Sequence, residues 1–141
     1  MAGINDAVSA VRAFFERAAS FKEVPIDDLP SKDRTRIDGA IEADNTNRSG
    51  ADRGTDLRSE PLVRHGDGET EYLFNADTYD GKPRGYAVLC QSNSGQCTVS
   101  AQDKSVKWGQ SECGPVIEEV KDTGEPRKTV FQANPNRAIK P

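Results

Sequence analysis

From Leu62 to Phe131 the chain alternates short apolar runs with turn residues at nearly every point where a hairpin needs them. Successive side chains of a strand point to opposite faces. Tyr72, Phe74 and Ala76 therefore share one face of a first run, Tyr86, Val88 and Cys90 one face of a second, and Cys97, Val99 and Ala101 one face of a third. The breaks are His65-Gly66-Asp67-Gly68, Asp80-Gly81, Ser92-Asn93-Ser94-Gly95 and Asp122-Thr123-Gly124-Glu125-Pro126. Each supplies glycine for positive φ and an Asn, Asp or Ser for local bonds to the backbone. The pattern predicts strands near 62–65, 71–78, 84–91, 96–101, 106–109, 116–121 and 128–132. Short turns between them imply a meander in which sequence neighbours pair. Gln110 to Pro115 reads equally as a turn or a long crossover.

Ahead of the strands the period changes from two to three and four. Ile4, Ala7, Val8, Val11, Phe14, Phe15 and Ala18 make one apolar stripe, which predicts a helix over Ile4 to Phe21 with Asn5 or Asp6 as its cap. An isolated helix of this length is marginal in water, so the stripe must pack on the sheet or on a partner. Val24-Pro25 and Leu29-Pro30 end that helix. Ser31 then caps a shorter one to about Ala43, with Ile37, Ala40 and Ile41 as a thin apolar face and Gly39 weakening it. Asn45 to Glu60 is polar, with Leu57 its only large apolar residue, and reads as a flexible linker or surface loop. The expected fold is therefore α+β, with an N-terminal amphipathic helix and a short second helix packed on an antiparallel meander of five to seven strands. The segments are 1–22 (helix), 23–60 (acidic arm), 61–133 (sheet) and 134–141 (polar tail), within one folded domain.

Composition sharpens this picture in two places. Of 141 residues 34% are apolar and 30% charged, so the core must be drawn from the strands and the first helix. The net charge of -4 arises in Glu23 to Glu60, where ten acids stand against six bases. No basic face is evident, which argues against phosphate-backbone binding and leaves nucleic acid only as a possible substrate. No apolar run reaches the length of a membrane span, and Met1 to Asp6 lacks a charged and then apolar leader, so the expected location is cytoplasmic with no membrane partner. Cys90 and Cys97 would face one another across a hairpin and could be bridged in an oxidising environment. The simpler expectation for that location is three reduced, mostly buried thiols, Cys113 included. With His65 the only histidine and no Cys-x-x-Cys pair, no metal site or cofactor is expected.

Candidate chemistry begins with His65. A histidine to protonate a leaving oxygen, Glu71 to take a 2′-hydroxyl proton and Arg84 to hold the phosphate would suffice for a small metal-independent ribonuclease. A helix followed by an antiparallel sheet resembles the layout of that enzyme class, an analogy of architecture alone. The competing reading makes Arg64 to Gly68 a solvated hairpin tip. Val116 to Lys121, an apolar strand ending in acid-x-Lys with Asp77 or Asp80 upstream, resembles the core of Mg-dependent nucleases of the restriction-endonuclease type. Cys90 or Cys97 beside His65 would be a third possibility, a thiolate nucleophile. Trp108 is either a core anchor or, with Tyr72, Tyr79, Tyr86 and Arg84, part of a recognition surface. No catalytic constellation stands out. The sequence therefore points to a non-enzymatic protein-binding or assembly module, such as an inhibitor, an adaptor or a structural subunit of a viral or mobile-element assembly. Its partner would be another protein or a second copy, met through Phe14, Phe15, Tyr79, Arg84 and Trp108.

Overall fold

The computed structural model describes residues 18, 20–120 and 127–132. Most of the expected first helix, including Phe14 and Phe15, lies outside these residues, as do Lys121, the turn over 122–126 and the tail. One α-helix and nine strands are described. The strands are β1 (Lys22–Glu23), β2 (Gly54–Leu57), β3 (Leu62–Gly66), β4 (Glu69–Thr78), β5 (Pro83–Gln91), β6 (Gln96–Ala101), β7 (Val106–Ser111), β8 (Gly114–Glu119) and β9 (Arg127–Gln132). The helix, α1, runs over Ser31–Asn45. The fold is α+β, with more strands than the five to seven expected.

The meander holds only from β3 to β6. There the register runs Val63 to Tyr72 to Val88 to Val99, and the turns reverse at Gly68, Gly81 and Gly95, all with positive φ. The order then departs from the sequence. After β6 the chain turns through Ser105, a non-glycine residue at φ 75° whose amide bonds the Pro83 carbonyl at 2.7 Å. This sends β7 parallel to the start of β5, through the pairing of Arg84 with Val106. β8 folds back on β7, and β9 returns to cover the free edge of β6. Unpaired backbone groups along β6 would otherwise be an open edge, which is why the last strand skips the β7–β8 ribbon.

All nine residues predicted to share one sheet face are buried together, and Ile37, Ala40 and Ile41 of α1 lie against them. Phe74 and Tyr86 stack at 5.0 Å between ring centroids. Burying each of these large side chains stabilises the fold by roughly 1.5–3 kcal/mol, so the helix is held by the sheet rather than by its own propensity.

Three local expectations are corrected. Ser31 is the first helical residue rather than the cap, because the chain enters from Pro30 in an extended conformation and no side chain caps the helix. Asn45 to Glu60 is not a free linker. Asn45 closes paired bonds to the Gly54 amide (2.8 Å) and carbonyl (2.9 Å), β2 pairs with β4, and Leu57 packs against the core. Cys90 and Cys97 are not reduced thiols. They sit opposite one another on β5 and β6 with Cα atoms 4.0 Å apart and form a disulfide, while Cys113 is free and exposed rather than buried. Among the described residues no helix is long and apolar enough to cross a membrane.

Candidate functional site

The face α1 presents to the sheet is not purely apolar. Asp33, Arg36, Ile37, Ala40, Ile41 and Asp44 recur at three and four and are all buried. At one end of this stripe the Tyr72 hydroxyl donates to Asp33 Oδ1 at 2.6 Å and receives Arg36 Nη1 at 3.1 Å. Burial, with the Asp33 bond next in effect, drives the Tyr72 pKa far above its ordinary value. At the other end Asp44 accepts from Arg48 Nε at 2.7 Å and from the Tyr86 hydroxyl at 3.2 Å. Burial and then the Asp44 charge push the Tyr86 hydroxyl up to about 12. These tyrosines stay protonated and act as donors that fasten the helix to β4 and β5.

Beyond Asp44 the polar stripe opens into a recess of about 280 Å³, lined by Arg48, Asp52, Lys82, Arg84, Asp103, Lys104 and Ser105. Five segments build it: the chain after α1, the turn before β2, the β4–β5 turn, β5 itself and the β6–β7 connection. Arg84 is only 1% exposed. Its Nη1 donates to the Asp52 carbonyl and the guanidinium also bonds the Tyr86 hydroxyl oxygen, but its Nε has no partner. Arg48, also buried, has its Nη2 unpartnered. At the rim Lys104 bridges Asp52 (2.7 Å) and Asp80 (2.6 Å). The bond to Lys104 is the main reason both carboxyls are held below the usual carboxylate range, and it raises the Lys104 ammonium in return. Buried guanidinium N–H groups without acceptors are costly, so their concentration at one recess marks it as the most unusual chemistry described.

The residues singled out from the sequence are not brought together. His65 stands exposed near the β3–β4 turn, with Thr70 Oγ1 3.4 Å from its Nδ1. Glu71 lies on the opposite sheet face, held by Arg64 Nε at 2.8 Å, whereas Arg84 pairs in register with Ala76 on the core face. The three groups of the ribonuclease reading therefore share no cleft. Asp77 is taken up by Arg58 and Asp80 by Lys104, and among the described residues no group of three metal-ligating side chains exists. Cys90 and Cys97 are spent in the disulfide. Trp108 is half-buried, its Nε1 bonded to the Tyr86 carbonyl at 2.9 Å and its backbone clamped by Asn75, so it anchors β7 to the sheet. Tyr79 is 70% exposed at the β4–β5 turn.

Sequence reasoning missed Arg48, Lys82, Lys104 and Asp44. The one available signal was helical spacing applied to polar residues, which places Asp33, Arg36 and Asp44 on the same stripe as Ile37 and Ile41. A second unusual surface is β8. Among the described residues it pairs with β7 alone, and Val116, Ile117 (44%) and Val120 (52%) are exposed on or beside it, next to exposed Glu118 and Glu119. No family model, curated protein or solved structure matches this chain.

Proposed function

We propose that the chain is a non-enzymatic protein-binding module that receives an extended segment of a partner along β8. The observation that carries this reading is the outer edge of the β7–β8 ribbon, which pairs with no strand among the described residues and where three exposed apolar side chains adjoin two exposed acids. Strand addition to such an edge draws affinity from main-chain bonds and selectivity from alternate side chains. Glu119 favours a partner strand carrying Lys or Arg between apolar residues, Glu118 being already paired with Lys107 of β7 at 3.6 Å. A second copy of the chain fits less well, because its own β8 would bring the same acids to the shared edge. Pro115 limits pairing to the residues after it. The Cys90–Cys97 disulfide favours an oxidising environment over the cytoplasm that the sequence suggests.

The test couples capture to position. Carbodiimide cross-linking of the full chain in extract from its native cells should join Glu119 to a lysine of a partner. Ile117→Ser together with Glu119→Lys, both at exposed positions, should weaken that partner by about a hundredfold while leaving the unfolding midpoint unchanged. A partner held equally well by the double variant refutes the edge, and a chain that stays alone in every extract refutes the binding reading.

A further inference from the structure

We propose that the recess between α1 and the β4–β5 turn is a binding site for a phosphate group. Its deepest charges do not balance. Among the described residues Arg48 and Arg84 are buried near a single buried carboxylate, Asp44, whose Oδ2 is engaged by Arg48 and by the Tyr86 hydroxyl while its Oδ1 has no donor. The remaining acids, Asp52, Asp80 and Asp103, lie at the rim and are taken up by Lys104 and, at 3.8 Å, by Arg48 Nη1. Among the described residues neither the Arg84 guanidinium nor the Lys82 ammonium lies within ion-pair distance of a carboxylate. Arg84 Nε and Arg48 Nη2 also lack any acceptor.

A buried guanidinium with no carboxylate in direct contact, and only the longer-range charge of Asp52 beside it, is expensive unless an anion accompanies it. The volume of about 280 Å³ suits one small group rather than an extended molecule. Donors converge from separate segments: Arg48 after the helix, Lys82 in the β4–β5 turn, Arg84 on β5, and the Ser105 hydroxyl at the bend into β7. That spatial spread matches four tetrahedral oxygens better than the two coplanar oxygens of a carboxylate. The site shares no residue with the β8 edge and stands or falls separately from the binding reading given above.

Calorimetric titration of the full chain, at constant ionic strength, decides it. The probes are inorganic phosphate, glycerol phosphate and acetate. Saturable binding of inorganic phosphate identifies the free ion as sufficient, and saturation by glycerol phosphate alone identifies a phosphate carried on a larger molecule. Lys82→Ala, at a half-exposed position where the fold is not at risk, should weaken either by about tenfold. Arg84→Met should abolish binding, and its unfolding midpoint separates that loss from misfolding. The proposal is overturned if neither phosphate saturates at millimolar concentration, if acetate competes equally, or if Lys82→Ala and a folded Arg84→Met bind as the wild type does.

Discussion

Asp44 is the position where the buried electrostatics can be tested most directly, by Asp44→Asn. The substitution keeps the shape and the hydrogen-bonding capacity of one oxygen but removes the carboxylate charge that is, among the described residues, the one buried partner of Arg48. Two routes give the same magnitude. A charge-assisted bond such as Arg48 Nε to Asp44 at 2.7 Å is worth roughly 1.5–3 kcal/mol, and the Tyr86 hydroxyl bond at 3.2 Å about 1 more. Breaking a buried pair by neutralising one member costs about 3–5 kcal/mol, because the other charge is left uncompensated. Against a total stability of order 5–15 kcal/mol this is a large fraction, equivalent to a fall in Tm of about 10 °C or more. Urea unfolding followed by tryptophan fluorescence reads it directly, since Trp108 reports on the adjoining sheet, and the slope with urea should not change. The double variant Asp44→Leu/Arg48→Met removes both charges. It should recover most of the loss, leaving about 1–2 kcal/mol for the Tyr86 hydroxyl that no longer has an acceptor. A loss below about 1 kcal/mol in Asp44→Asn, or no recovery in the double variant, refutes the claim that these charges are buried as a unit.

Two further outcomes follow from the same structure. Asp52 and Asp80 are held below their ordinary values, so the folded chain binds fewer protons there than the unfolded one, and their contribution exists above about pH 4 and is lost as pH falls through the depressed folded values. The Tm difference between wild type and Lys104→Ala should therefore be greatest near neutrality, decline progressively as pH falls below about 4 and shrink in high salt because the bridge is exposed; a difference that does not decline in acid contradicts the assignment. The Cys90–Cys97 bridge spans 7 positions, a loop short enough that Cys90→Ala/Cys97→Ala should cost only about 2–3 kcal/mol in denaturant titration, and the denatured, unreduced chain should show one free thiol, with three refuting the bridge.

Most of the sheet was legible in the sequence, and the reason is visible in particular runs. Tyr72-x-Phe74-x-Ala76 and its two neighbours alternate cleanly because one face of each strand is buried and the other is not. Gly68, Gly81 and Gly95, all at positive φ, stand at the turns of the meander, so strand ends there were also marked. β2 escaped notice because Gly54 to Leu57 has one apolar residue. It is held by Asn45 and by β4 rather than by its own pattern. The polar side of α1 escaped for a related reason: Asp33 and Asp44 look like solvated residues until Tyr72 and Tyr86 are known to lie above them.

What the sequence determined by itself is therefore local: the strands from Leu62 to Val116, the face each presents to the core, the stripe of Ile37, Ala40 and Ile41, and the position of three turns. Strand order after Ala101, the closing of Cys90 on Cys97 and the assembly of Arg48, Lys82, Arg84 and Lys104 around one recess were decided only in three dimensions. The physical reason is that alternation and turn chemistry act over a few residues, within reach of one run of sequence. The return of β9 to β6 and the gathering of charges around Asp44 depend on pairings between segments far apart in the chain. Such pairings form only once the local elements exist and their buried polar groups must find partners.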